Sequence, residues 1–219
     1  TGTTYVLTEA EVNKTITVVA SYTDGNGTPE SVSSAATAAV ANVNDAPTGL
    51  VAISGTATQG QTLTASNTLS DADGLGTISY QWKANGTDIS GATGTTYVLT
   101  ESEVNKTITV VASYTDGHGT PESVSSAATA VVANLNDAPV GVPVITGTPT
   151  EDQTLTADTS GISDSDGLGA FSYQWLRNGS AISGATSSTY VLDDADVGTQ
   201  IRAEVSYTDG HGANEGPLT

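Results

Sequence analysis

The chain repeats itself every 92 to 93 residues, and a repeat of that length must be a unit that folds and can be copied. The segment TGTTYVLTEAEVNKTITVVASYTDGNGTPESVSSAATAAVANVNDAP at Thr1 returns almost unchanged from Thr93, and a diverged third copy starts at Thr186 as TSSTYVLDDADVGTQIRAEVSYTDGHG. Tyr5, Tyr97 and Tyr190 mark the interval, as do Trp82 and Trp175. The predicted organisation is therefore the last strands of a first repeat at 1–47, a complete repeat at 48–138, and a third at 139–219 that lacks most of its final strand. Such a phase reads as a window in a longer tandem array. Strand exchange with another copy through the open edges is the alternative.

Each repeat reads as seven short strands. In the complete one these are A near Val51–Ser54, B near Gln61–Ala65, C at Ile78–Ala84, a short strand at Asp88–Ser90, E at Thr96–Leu99, F at Thr107–Tyr114 and G at Ser123–Val132. Turn residues separate them: Asn85-Gly86, Ser90-Gly91 and Asp116-Gly117. Strand F alternates, with Ile108, Val110, Ala112 and Tyr114 on one face, and in strand C Ile78, Tyr80 and Trp82 share a face. Helical periodicity is absent. Seven short strands in about 90 residues with a Trp on the third predict an all-β chain of tandem immunoglobulin-like sandwiches, each of about seven antiparallel strands. With no Cys in the chain, no inter-sheet disulfide is possible, and Val110 is expected beside Trp82 in its place. Asn13 and Asn105 stand where the third copy has Gly198, which predicts a left-handed residue at the E–F corner.

Charge narrows the partners. There are 24 acidic against five basic residues, a net charge of −19, so nucleic acid and anionic membrane surfaces would repel the chain. No apolar run approaches the roughly 20 residues of a membrane helix, so no direct membrane insertion is expected. Self-repulsion of this size is relieved where divalent cations neutralise carboxylates.

The acids are not scattered. SDADGLGTISYQW at Ser70–Trp82 and SDSDGLGAFSYQW at Ser163–Trp175 each join an acidic loop to the Trp strand. In the predicted topology the linker lies at the same end as the B–C and F–G loops, and the E–F loop of the preceding copy faces that end. Asn44, Asp45, Asp71, Asp73 and Asp116 should therefore meet Glu9 and Glu11. Asn136, Asp137, Asp164, Asp166 and Asp209 should likewise meet Glu101 and Glu103. Oxygen donors converging without Lys or Arg make a hard-cation site, and a flexible shell of carboxylates and carbonyls suits Ca²⁺ better than Mg²⁺. Taken singly, Asp-x-Asp-Gly is equally good turn sequence. Convergence at one end is what tips the reading to calcium.

The linker VNDAP, the paired aspartates of DADG and the acidic E–F loop resemble the interdomain calcium scheme of cadherins and cadherin-like bacterial repeats. The repeat itself, with YQW, an NG turn, TYVLT and SYTDG, is similar to the bacterial immunoglobulin-like repeats of giant RTX-type surface adhesins. The resemblance covers nearly the whole chain. It implies an extracellular stalk or extender of a bacterial cell-surface adhesin, stiffened by Ca²⁺, whose partners are neighbouring repeats of the same long chain. The linker is shorter than the cadherin one, and Glu9 and Glu11 match its acidic loop only loosely.

Other candidates carry less. His118 and His211 lie in Gly-His-Gly where the first copy has Asn26, an exchange that reads as tolerance of positive φ rather than a metal or catalytic site. Asn13, Asn26, Asn85, Asn105 and Asn178 fit the glycosylation sequon at predicted turns in Thr-rich sequence, where chance matches are expected. No His or Lys is placed to activate a Ser or Thr, and a thin sandwich offers no cleft for paired carboxylates, so the sequence argues against an enzyme. Two further readings remain: a glycan- or protein-binding module, and a filament or sheath subunit completed by strand exchange. The first would need outward-facing aromatics, but the Tyr and Trp residues mostly alternate inward.

Overall fold

The computed structural model describes residues 2–219; Thr1, with which the predicted first segment begins, lies outside the described residues. The chain is all-β and falls into two compact units that cut across the repeat boundaries. Of the described residues, one comprises 2–57, Gln61–Val98 and Lys106–Val132; the other comprises Thr58–Gly60, Leu99–Asn105 and Ala133–Thr219.

In the first unit, β1 (Val19–Thr23) and β2 (Pro29–Ser33) form an antiparallel pair in which every residue is exposed. The strands β3 (Val51–Ser54), β4 (Thr62–Asn67), β5 (Ser79–Ala84), β6 (Thr87–Asp88), β7 (Thr96–Val98), β8 (Ile108–Thr115) and β9 (Pro121–Ser125) follow. They make two antiparallel sheets, β3-β4-β7 and β6-β5-β8-β9. Strand β8 alternates as its sequence predicts, with Ile108, Val110, Ala112 and Tyr114 buried and their neighbours part-exposed. Leu63 and Ala65 of β4 are buried in the other sheet. Trp82 and Val110 are cross-strand partners, both wholly buried, so a valine does stand where a disulfide is impossible. The Trp82 indole donates to the Gly94 carbonyl at 2.9 Å, which satisfies its one polar atom.

In the second unit, β10 (Val144–Thr146), β11 (Thr154–Asp158), β12 (Ser172–Arg177), β13 (Ser180–Ala181), β14 (Thr189–Val191), β15 (Ile201–Thr208) and β16 (Asn214–Leu218) repeat the scheme. The sheets are β10-β11-β14 and β13-β12-β15-β16. One apolar cluster draws on both: Leu155 and Ala157 from β11, Trp175 from β12 and Ala203 from β15.

Three expectations change. Strand G stops at Ser125 rather than Val132, because the hydroxyls of Ser126 and Thr129 accept the Val110 and Ile108 amides at 3.0 Å and replace the regular ladder with side-chain bonds. Tyr5–Leu7 of the first copy is not a strand. Its counterpart β7 is held by β4, and the described residues of the first copy contain no equivalent of β4. Third, the acidic E–F segments form short 3₁₀ turns at Glu9–Glu11, Glu101–Glu103 and Asp194–Asp196, although no helical periodicity precedes them. Left-handed backbone at Asn13, Asn105 and Gly198 follows the expectation, with φ of 61°, 63° and 72°. Positive φ at both Asn85 and Gly86 gives the two-residue hairpin between β5 and β6 the twist it needs.

Candidate cation sites

The loops at the acidic ends are built by aspartates acting on backbone. In the first unit Asp116 Oδ1 accepts the His118 and Thr120 amides, both at 2.8 Å, and closes the β8–β9 turn. The Gly117 amide then donates to the Asp73 carbonyl at 3.0 Å, which ties this turn to the loop before β5. That approach explains the glycines of DGLG and TDG. A Cβ at Gly76 would stand 2.0 Å from the Thr115 carbonyl oxygen, and one at Gly117 would stand 2.5 Å from that of Asp73. Asp71 is consumed locally: Oδ1 accepts the Asp73 amide at 2.9 Å and Oδ2 the Tyr114 hydroxyl at 2.5 Å. Burial, reinforced by the Asp71 carboxylate, pushes the Tyr114 pKa up and keeps it a donor. Asp164, Asp166, Tyr207, Asp209 and Gly210 repeat this arrangement in the second unit.

What remains after these bonds is a set of oxygens without donors. Asp73 is 4% exposed; its Oδ2 accepts the Asp45 amide at 2.6 Å, and its Oδ1 has no hydrogen-bond partner. Asp116 Oδ2 is buried and unpartnered as well. Glu9, Asp73 and His118 bring ligand atoms within 4.8 Å of one another, with His118 Nε2 2.8 Å from Glu9 Oε1. In the second unit Asp166 is 3% exposed and accepts the Asp137 amide at 2.7 Å. There Asp166 Oδ1, Asp209 Oδ2 and Glu101 Oε2 are buried carboxylate oxygens without a partner. Glu101, Asp166 and His211 form one cluster, and Asp164, Asp209 and Glu215 another.

Burial of a carboxylate oxygen with nothing to accept from costs free energy on the order of 1–3 kcal/mol, and more when the group is charged. None of the salt bridges made by Lys or Arg reaches these acids among the described residues. Burial, the largest single influence on Asp116, would raise its pKa, but the amides of the turn outweigh it and hold the group below the usual carboxylate value. It therefore stays charged with one oxygen free. Acceptor-only groups of this kind, gathered from separate loops, can hold a cation.

No protein-family model matches the chain. Part of it is similar to the highly immunogenic outer capsid protein of Enterobacteria phage T4, at 36% identity over 126 residues. The match covers 53% of this chain and 32% of that protein, so the chain spans about a third of the length of its curated relative.

Not every acid expected at these sites reaches them. Glu11 closes its own 3₁₀ turn, accepting the Thr8 amide at 2.9 Å and the Tyr5 hydroxyl at 2.8 Å. Glu103 does the same with Thr100, at 3.0 Å from its amide and 2.7 Å from its hydroxyl. Both are capping residues, and the signal was in the sequence: Thr-Glu-x-Glu fits a capping box. Asn44 and Asn136 turn their amide groups to Glu122 and Glu215, at 2.8 and 2.9 Å. Asp45 contributes its amide to Asp73, and the Asp137 carboxylate is taken by Gln59 at 2.9 Å.

Sequence reasoning missed three pairs. His118 and His211 stand in the clusters, and positive φ belongs to the following Gly119 and Gly212, not to them, which corrects the reading of Gly-His-Gly as a left-handed histidine. Glu215 joins Asp164 and Asp209 from β16, and Glu122 is its counterpart one repeat earlier. The amide oxygens of Asn42 and Asn134, at equivalent places in the two linkers, are buried and unpartnered.

Proposed function

We propose that each pair of three- and four-stranded sheets is an immunoglobulin-like sandwich, and that the chain is a segment of a structural extender whose repeats are joined through Ca²⁺. The observation that carries this reading is the set of buried acceptor oxygens at the linker ends: Asp73 Oδ1 and Asp116 Oδ2 in one unit, Glu101 Oε2, Asp166 Oδ1 and Asp209 Oδ2 in the other. All belong to carboxylates and none has a donor, and the free oxygens of Asp73 and Asp116 recur one repeat later in Asp166 and Asp209, as expected if the same ion is used at each junction. A hard cation with a flexible oxygen shell matches them. Near-identity of the copies also suits a spacer, which needs the same module many times. Among the described residues no helix is long and apolar enough to cross a membrane. The resemblance to adhesin repeats favours a bacterial cell surface as the extender's location. Similarity to an outer capsid protein favours a second reading, in which the same repeats are displayed on the outside of an assembled particle.

The test is thermal melting with Ca²⁺ against EGTA, joined to hydrogen exchange at Asn44–Thr48. An ion that binds only the folded state at a hundred times its Kd adds about 2.7 kcal/mol per site. The melt should rise and the linker amides should slow. The same melting curve and exchange rates under both conditions would remove calcium from the account.

A further inference from the structure

The donor set contains a residue that calcium does not explain. Ca²⁺ takes oxygen ligands, whereas imidazole nitrogen is a ligand for zinc and the other borderline transition ions. His118 Nε2 lies 2.8 Å from Glu9 Oε1, and His211 Nε2 lies 2.7 Å from Glu101 Oε1. Each pair is completed by a nine-tenths-buried aspartate, Asp73 or Asp166, that keeps one oxygen without a partner. We propose that Glu9, Asp73 and His118, and again Glu101, Asp166 and His211, are three-ligand sites for a borderline divalent ion, for which Zn²⁺ is the probe. This deepens the calcium reading, and rests on it for the claim that these carboxylates hold cations.

The geometry is close to what zinc needs. With Zn–N and Zn–O bonds of about 2.0–2.2 Å, tetrahedral ligands stand roughly 3.3 Å apart. The histidine and glutamate atoms begin at 2.7–2.8 Å and all three donors lie within 4.8 Å, so closing on an ion needs only side-chain adjustment. The ion takes the place of the hydrogen bond between Nε2 and the glutamate oxygen: a neutral ring carries its one proton on Nδ1 when Nε2 ligates, and a protonated ring gives its Nε2 proton to solvent. Three protein ligands leave a fourth position for water. In each triad one ligand comes from the E–F turn of one repeat and two from the loops of the next. The ion therefore bridges repeats, as calcium would, with a different preference.

The copies supply the control. In the first repeat Asn26 stands in the place of His118, and its amide makes the same 2.8 Å bond to the turn aspartate, Asp24 Oδ1, that His118 makes to Asp116. The turn accepts either residue, so His118→Asn with His211→Asn keeps the loop and deletes the nitrogen ligand. Zn²⁺ and Ca²⁺ are titrated separately into the intact chain and the double variant, with the ring nitrogens followed by NMR. The unmutated chain should bind two Zn²⁺ and shift Nε2 of both histidines. In the variant Zn²⁺ binding should weaken by about tenfold or more while the Ca²⁺ midpoint stays put. Equal zinc affinity in both chains, or parallel loss of zinc and calcium in the variant, overturns the proposal. Calcium binding without zinc binding by the unmutated chain overturns it and leaves the calcium reading intact. If neither ion binds, both readings fail.

Discussion

Replacing Asp73 by Asn should change stability with opposite sign in the absence and presence of calcium. The side chain keeps its shape, and its amide oxygen can still accept the Asp45 N–H that Oδ2 accepts at 2.6 Å. What is lost is a negative charge on a residue 4% exposed, with a ligand atom within 4.8 Å of the Glu9 carboxylate. At 4.8 Å two like charges repel by about 3.5 kcal/mol at an effective dielectric of 20 and about 0.9 kcal/mol in water. The Glu9 side chain is 35% exposed, so solvent screening places the effect near the lower figure. In EGTA the variant should gain about 1 kcal/mol, or roughly 2–4 °C in Tm. In saturating Ca²⁺ the sign reverses, because the variant has given up an anionic ligand and with it much of the ~2.7 kcal/mol that ligation adds at a hundred times Kd. Scanning calorimetry of the two chains in both buffers measures all four values. Equal destabilisation by Asp73→Asn in EGTA and in Ca²⁺ would mean that the carboxylate serves the loop alone, and the reasoning from unpartnered charge would fail.

Trp82→Ala should lower stability by about 3–5 kcal/mol, since the ring is wholly buried and its N–H is already satisfied by Gly94. An unaltered denaturation midpoint would show that Trp82 is not a core residue. Asp196 gives a pH prediction for the second unit: burial, the largest influence, raises its pKa, but the hydrogen bond from Arg177 at 2.6 Å, the Asp193 amide and the Tyr190 hydroxyl together hold it below the usual 3.8. A depressed carboxylate contributes stability above its unfolded pKa and loses it as pH falls through the folded value, so this contribution disappears below about pH 4. Arg177→Gln removes the opposing cation and should move acid unfolding of this unit to higher pH; coincident acid midpoints by circular dichroism would refute it.

The strands were legible because side-chain burial follows the period-2 pattern directly. Ile108, Val110, Ala112 and Tyr114 announce the buried face of β8, and Asn85-Gly86 announces the hairpin. Strand G was overread because Ser126 and Thr129 are acceptable strand residues, and their competition for backbone donors leaves no trace in an apolar pattern. At the sites, the aspartates of DxDG were legible by type and spacing. Which oxygens stay free was not, because that depends on partners distant in sequence, such as Tyr114 for Asp71 and Gln59 for Asp137. Glu11 and Glu103 were assigned outward as ligands when a local capping box already accounted for them. The histidines do not stand out in the sequence because turn chemistry accounts for them, yet His118 satisfies the turn with its backbone and joins the cluster with its ring.

That division of labour bears on how an ion site arises in a repeat without spoiling the fold. Asp24 in the first copy accepts the Asn26 and Thr28 amides through Oδ1, both at 2.8 Å, in a turn flanked by exposed strands. Asp116 makes the equivalent two bonds with the same oxygen, yet it is only 6% exposed and its Oδ2 is left without a donor. The aspartate is thus required by the turn whether or not an ion is present. The two sites differ in what covers the second oxygen: at Asp116 the Asp73 carbonyl closes onto Gly117 and the neighbouring loop packs against the turn. Under this reading, cation affinity is acquired by burying an oxygen that the turn does not use, rather than by adding a charge. The loops should then hold their backbone form without the ion, and the ion should act on the carboxylates of successive repeats, whose mutual repulsion it replaces by shared ligation.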